Sequence, residues 1–331
     1  MSIDVSIIIP MYNTGEFVTK CIASVTSRCL NMEIIVIDDG SEDDSYQIVN
    51  KLLLKDKRII LIQTENGGTG KARNLGLSIA KGKCVAFIDS DDWIAKNALG
   101  IMYQEIIGHD LDMVMGNALF YYSVEDIKKR YKIPPALFGK VMRGTECYIN
   151  LSRSGSFIPM VYCYMYKREI LEKYNISFQE EMYEDELWTI QTVCQAGKIK
   201  IIDFPFYYYR QRQGSIMHNA GDTHKRSHSL IALSKNILLF AQHSSFANDH
   251  VLKDWLYVRA IQMYYYALTR LGDKADITSF HNNNGTHLSE LVRNRNETSS
   301  SATDCFFKYY LYHIIQKIRE YGLNILPFDE R

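Results

Sequence analysis

Glu33-Ile-Ile-Val-Ile-Asp-Asp-Gly-Ser41 holds, in nine residues, an unbroken apolar run, a pair of carboxylates and a turn. A short run that is apolar at every position is the pattern of a strand buried on both faces, as in a parallel sheet. Upstream, Phe17, Cys21, Ile22 and Val25 recur at helical spacing, and Asn13 stands three residues before Glu16 as at a helix start. Before them, Val5-Ser-Ile-Ile-Ile-Pro10 reads as another buried strand. Downstream, Ser41 and Asp44 open a helix with Tyr46, Val49, Leu52 and Leu53 on one face, and Ile59-Ile-Leu-Ile62 is a strand. Asn66-Gly-Gly-Thr-Gly70 then leads into a helix carrying Ala72, Leu75 and Ile79, and Cys84-Val-Ala-Phe-Ile88 is a fourth strand. Strands alternating with helices predict an α/β fold, a Rossmann-like and mostly parallel central sheet flanked by helices.

The pattern then loosens. Met113–Tyr122, Met160–Tyr166, Ile199–Ile202 and Phe206–Arg210 read as strands, and Glu184–Gln195 reads as a short helix. Long helical patterns follow near Leu230–Phe240, Trp255–Leu271 and Phe306–Tyr321, with the polar stretch His281–Thr303 read as a loop. This divides the 331 residues into a domain over 1–220, with halves 1–110 and 111–220, and a helical C-terminal region over 221–331. Lys+Arg and Asp+Glu are both 38, so no global basic field exists to recruit nucleic acid. The seven cysteines are scattered with no Cys-x-x-Cys pair, which suits core packing in a reducing cytoplasm better than zinc or disulfides. No run approaches the roughly 18 apolar residues of a membrane span and no signal peptide is evident, so the expectation is a cytoplasmic protein, with contact at the inner membrane face left open.

In such sheets ligands bind outside the carboxyl ends of the strands, and the polar residues gather there. Tyr12 and Asn13 follow the first strand, Asp38 to Ser41 the second, and Asp89-Ser90-Asp91-Asp92 the fourth. Hard oxygen ligands at Asp89 and Asp91 suit Mg2+ or Mn2+. The bland alternative is a solvated turn in which Asp92 caps the next helix. The glycine-rich loop fails as a phosphate loop, having Glu65 where glycine and Ala72 where Ser or Thr is needed. It also fails as a dinucleotide fingerprint, which would need glycine at Arg73. Backbone N–H groups, with Lys71 and Arg73 nearby, remain available to phosphates. Glu184-Asp185, an acidic pair near a helix start, reads by itself as favouring the helix dipole. Arg210, Arg212 and His218 follow an aromatic strand, as a loop closing over a diphosphate or as a polar connector. Tyr257, Tyr264, Tyr265, Tyr266, Tyr309, Tyr310 and Tyr312 read as core, as a sugar-stacking or membrane-interface surface, or as a homodimer face.

Taken together, Val5-Ser-Ile-Ile-Ile-Pro-Met-Tyr-Asn13, Ile37-Asp-Asp-Gly-Ser41, Asn66-Gly-Gly with Ala72-Arg-Asn74, and Phe87-Ile-Asp-Ser-Asp-Asp-Trp93 resemble the family-2 glycosyltransferases of GT-A fold, closely over about 4–110. A looser likeness continues through Tyr166–Leu171, Tyr183–Glu186 and Tyr208–Ser215. The resemblance implies an inverting transfer of sugar from a UDP-sugar donor to a glycan or lipid-linked sugar acceptor, with Mn2+ or Mg2+, as in surface polysaccharide synthesis. It implies that Pro10, Tyr12 and Asp39 hold the base, and that Arg73 lies near base and phosphates. Asp89 and Asp91 are the implied ribose and metal residues with Ser90 between them, and Asp185 is the implied catalytic base. Arg210 and Arg212 are expected at the donor, and His218 as a further metal ligand. Gly67-Gly-Thr-Gly70 and Lys71 depart from the family's commoner small-residue loop. Two other readings stand beside it. A sugar nucleotidyltransferase would release pyrophosphate rather than UDP, and its glycine-rich signature after the first strand is missing. A non-catalytic sugar-nucleotide or glycan-binding module would tolerate Asp185→Asn.

Overall fold

The computed structural model describes residues 2–26, 30–123, 126–211, 223–271, 274–298 and 301–320. The chain divides into two units, residues 1–180 with 184–217, and residues 181–183 with 218–331.

In the first unit ten strands are described: β1 (Val5–Met11), β2 (Met32–Asp38), β3 (Ile59–Gln63), β4 (Cys84–Phe87), β5 (Trp93–Ile94), β6 (Met113–Ser123), β7 (Asp126–Arg130), β8 (Val141–Met142), β9 (Tyr164–Lys167) and β10 (Ile199–Arg210). They form one sheet in the order β3-β2-β1-β4-β9-β6-β10-β5, with β7 on β6 and β8 on β10. The helices are α1 (Gly15–Val25), α2 (Ser45–Leu53), α3 (Thr69–Ile79), α4 (Ala98–His109), α5 (Gly144–Arg153), α6 (Arg168–Lys173) and α7 (Glu184–Gln195). Strands β3, β2, β1 and β4 are parallel, as are β6 and β10, while β9 runs antiparallel between β4 and β6. Every residue of β1 and β2 is buried, as their largely apolar runs require, and the buried Ser6 hydroxyl donates to Glu33 at 2.6 Å.

Three local expectations change. The N-cap position of α1 is Thr14, not Asn13. Asn13 adopts φ 50°, and its side-chain oxygen accepts from the N–H groups of Glu42 and Asp43, so it stitches the β1 end to the turn after β2. Residues 161–163 form a 3-10 turn, and the strand expected over 160–166 begins only at Tyr164. The two strands expected over 199–210 are one. Pro205, which has no N–H to give, sits where the register against β6 shifts.

The second unit contains α8 (Thr223–Ala241), α9 (His250–Thr269), α10 (Lys274–Thr298) and α11 (Ser301–Glu320). The stretch 281–303, expected as a loop, is therefore helical over most of its length. Its Asn-, Ser- and Thr-rich composition argues against helix on propensity alone, but packing outweighs propensity. Asn284, His287, Leu288 and Leu291 are buried. Burial pushes the His287 imidazole down to about 4, and its Nε2 lies 2.9 Å from Ser234 Oγ. Ser227 and Ser234 in α8 donate to the carbonyls of Ala267 and Ala260 in α9, so these two buried hydroxyls are satisfied within the unit. The tyrosines divide: Tyr257 and Tyr264 are core, whereas Tyr309 and Tyr312 are 56% and 58% exposed. No helix among the described residues is long and apolar enough to cross a membrane.

Candidate active site

The residues 89–92 leave β4 in a turn, and its carboxylates meet different surroundings. Asp92 is buried to 1% exposure and accepts from the Tyr207 hydroxyl at 2.7 Å and the Arg210 N–H at 2.7 Å. Burial, and then the charges of Asp91 and Asp89, push its carboxyl well above the ordinary range. It does not cap the following helix, as its spacing allowed, but bolts the turn to β10. The same Tyr207 oxygen accepts from the Asp89 N–H at 3.1 Å. Ser90 is buried and accepts from the Thr14 hydroxyl at 2.9 Å, which fixes the turn against the start of α1. Asp91 stays half-buried at the lip, and its carbonyl accepts from Arg210 Nε at 2.8 Å.

Arg73 organises the other side. Its place one turn into α3 would allow a surface side chain, yet it is only 4% exposed. Its guanidinium donates to Asp89 at 2.9 Å and to Glu184 at 2.8 Å, joining the β4 turn to the start of α7. The segment before α7 is bound to α3 along its length. The Asn74 side chain pairs with Phe178, donating to its carbonyl and accepting from its N–H, both at 2.8 Å. Any Cβ at Gly70 would run into the Gln179 carbonyl, so only glycine permits this approach. Phe178 stacks on Trp188 of α7 at 3.9 Å between ring centres. Asp185 is thereby held beside Glu184. Burial, and then the Glu184 carboxylate, push the Asp185 carboxyl well above the usual carboxylate range, with Arg73 pulling the other way. Asp89 is also raised, by burial, against the pull of the same guanidinium.

On the β1/β2 side, Pro10 is buried in β1 and Tyr12 is 42% exposed just beyond it. The Asp39 N–H donates to the Met11 carbonyl at 2.8 Å, so Tyr12 and Asp39 leave neighbouring strand ends together. The Asp39 carboxylate accepts from the N–H groups of Gly67 and Gly68, each at 2.8 Å. It therefore orders the glycine loop, in which Gly68 takes φ 90°, and a carboxylate's four lone-pair sites leave it capacity for a ligand donor. Arg212 and His218 lie outside the described residues.

The structure thus brings Asp89, Asp91, Arg73, Arg210 and Asp185 to one lip of the sheet. No cluster of three metal-ligating side chains occurs among the described residues. Asp92 is committed to β10, and one Asp89 oxygen to Arg73. Asp89 and Asp91 are the carboxylates of this turn at the lip that could hold a divalent ion. That donor set fits Mg2+ or Mn2+, which take one or two carboxylates and complete their shells with water and substrate phosphates. Sequence reasoning missed Glu184 as the partner of Arg73, Asn74 and Tyr207 as fasteners, and an aromatic group around Trp93. The alternation Tyr207-Tyr208-Tyr209-Arg210 carried a signal for the last, since Tyr208 and Arg210 must share a face.

A family model described as "Glycosyl transferase family 2" matches residues 6–175. The glycosyltransferase GlyG of Streptococcus pneumoniae is 29% identical over 67% of this chain and 75% of its own length. The uncharacterized glycosyltransferase EpsJ of Bacillus subtilis is 33% identical over 64% of this chain, which spans 62% of EpsJ. Among solved structures, residues 1–349 of Staphylococcus aureus TarS in complex with UDP-GlcNAc share the fold. They give a TM-score of 0.64 at 21% identity, over 96% of this chain and 90% of that one.

Proposed function

Since this chain belongs to glycosyl transferase family 2, we infer that it moves a sugar from a UDP-sugar to an acceptor hydroxyl with inversion at the anomeric carbon. The observation that carries this reading is the Arg73 bridge, which ties the donor-side Asp89 to Glu184, next to Asp185. Inversion by direct displacement needs a base on one side of the anomeric carbon and a stabilised leaving group on the other. Asp185 takes the proton of the acceptor hydroxyl as its oxygen bonds to the anomeric carbon, and the bond from that carbon to the diphosphate breaks. A raised carboxyl pKa suits this task, because a base with its pKa nearer neutrality accepts a proton more readily. Arg73 orients Asp89, and Tyr12 and Asp39 receive the base. A divalent ion held by Asp91 would supply neutralisation of the charge on the departing diphosphate.

The names of the relatives leave the acceptor open, since they include a cholesterol galactosyltransferase and poly(ribitol-phosphate) glycosyltransferases. The acceptor in this reading is a lipid-linked glycan presented at the cytoplasmic membrane face.

Incubation with Mn2+ and a panel of UDP-sugars tests the core of it. UDP release from at least one donor, abolished by chelation, is expected, and absence of metal-dependent UDP release from every donor defeats the reading. Asp91→Ala is expected to weaken UDP binding about tenfold in Mn2+, comparable to losing one good ligand contact, and to change nothing in EDTA. Calorimetry under both conditions checks this. Glu184→Gln removes the charge that, after burial, most raises Asp185. The acid limb of the pH–rate profile is therefore expected to move to lower pH. An unmoved or upward-shifted limb would remove Asp185 from the role of titrating base.

A further inference from the structure

Beside the Asp89–Asp92 turn stand two cations that the transfer reaction does not account for as a pair. Lys20 of α1 places its ammonium 3.3 Å from the centre of the Trp93 ring and 5.6 Å from that of Tyr121. Arg210, at the end of β10, lies 4.7 Å from the same Trp93 ring, 4.7 Å from Phe17 and 5.8 Å from Tyr121. Tyr208 stacks on Trp93 at 5.2 Å and 5°. Because both cations lean on one indole, they are separated by no more than about 8 Å. That is one Debye length at physiological salt, so solvent does not screen them apart. Among the described residues neither makes an ion pair with a carboxylate, and Arg210 spends only its Nε, on the Asp91 carbonyl. The field of Arg210 adds to partial burial in lowering the Lys20 ammonium pKa. Aromatic faces attract each cation but do not neutralise it. Among the described residues no carboxylate pairs with either side chain.

The location says which anion suits them. The base-side residues Tyr12 and Asp39 follow β1 and β2, whereas Trp93, Tyr121 and Arg210 belong to β5, β6 and β10 at the other end of the sheet order. Lys20 and Phe17 join them from α1, so the cluster flanks the Asp89–Asp92 turn mainly on the β5, β6 and β10 side. It is also off the Asp185 face. Tyr208 and Arg210 project with Trp93, while Tyr207 and Tyr209 project oppositely, onto Tyr162. A guanidinium fork and an ammonium converging from two elements match a phosphate, whose oxygens accept in several directions, better than a single carboxylate. Building on the donor and acceptor reading above, we propose that Lys20 and Arg210, backed by Trp93, form a subsite for a phosphate group carried by the acceptor, at a distance from the attacking hydroxyl. The enzyme then selects phosphate-bearing acceptors by a handle remote from the bond it makes.

The full chain is titrated with glycerol phosphate at constant ionic strength, following tryptophan fluorescence, without UDP and with saturating UDP and Mg2+. Saturable binding of similar affinity under both conditions is expected. Lys20→Met is expected to weaken it about tenfold and Lys20→Arg by less than about threefold, as loss and retention of one charge-assisted contact imply. UDP affinity, read in the same samples, is expected to stay within about twofold in both variants. Competition between glycerol phosphate and UDP would assign the cations to the donor diphosphate and overturn the proposal. So would an unchanged affinity in Lys20→Met, or no saturable response in the parent protein. Failure of UDP itself to bind would count against the donor reading instead, and the phosphate titration without UDP would still judge the subsite.

Discussion

Asp185→Asn is expected to lower turnover by about 10^2- to 10^4-fold, the span a positioned general base contributes, while UDP affinity changes by less than about threefold. The side chain of asparagine has the shape of the protonated acid, which is the form that burial and Glu184 already favour at this position. The same reasoning fixes the sign of the stability change. A carboxyl whose folded pKa lies above its unfolded value opposes folding once it is ionised, and that cost is relieved as pH falls through the folded pKa. Asp185→Asn removes the cost, so the inactive variant is expected to unfold at a higher urea concentration than the parent at neutral pH. Rate loss without loss of donor binding, combined with added stability, is the signature of a residue retained for chemistry. A variant that loses UDP binding in parallel with turnover, or that unfolds more easily, would show Asp185 to be structural.

Arg73→Met is expected to have the opposite stability effect. It strips the shared partner from Asp89 and Glu184, which are 25% and 18% exposed in their side chains. Removing one member of a buried ionic group costs about 3–5 kcal/mol, and the partial water access of these carboxylates places this case near the lower end, about 3 kcal/mol. Urea unfolding measures it. Arg73→Lys keeps the charge but cannot reach two carboxylates with one planar fork, so it is expected to recover only part of the loss. Loss of the guanidinium also lifts a restraint that lowers the Asp185 pKa. The acid limb of any residual activity is therefore expected to move to higher pH, opposite in sign to the effect of Glu184→Gln. Shifts in the same direction for the two variants would refute the shared electrostatic frame.

Much of this arrangement was legible from the chain. The apolar runs at 5–10, 33–38 and 84–88 are buried on both faces and appear as β1, β2 and β4, and the acidic start of α7 falls at Glu184 as its pattern indicated. Strand ends carrying Asp39, Asp89 and Asp91 could be placed because a parallel sheet dictates where its carboxyl ends gather. Side-chain partners could not. Nothing local in Asp92 distinguishes a helix cap from an acceptor for Tyr207, 115 residues away. Arg73 reads as a helix surface until Glu184, 111 residues on, is brought against it. The 281–303 stretch misled because its helical stability comes from neighbours that bury Asn284, His287, Leu288 and Leu291. Lys20 and Trp93 carry no pairing signal at all, since a cation resting on a ring is set by tertiary geometry.

The bond between Arg73 and Glu184 also has a bearing on how the molecule comes into being. Closing a loop of that length is slow relative to local pairing. As the chain is synthesised, β1 to β4 and their helices can dock long before residue 184 exists. Throughout that interval the guanidinium has Asp89 but not its second carboxylate. The stretch matched by the family model ends at 175, short of Phe178, Gln179 and Glu184. A fragment cut there would preserve Asp39, Asp89 and Asp91 at the strand ends, yet would lack Glu184 and Asp185 and leave Arg73 with a single carboxylate.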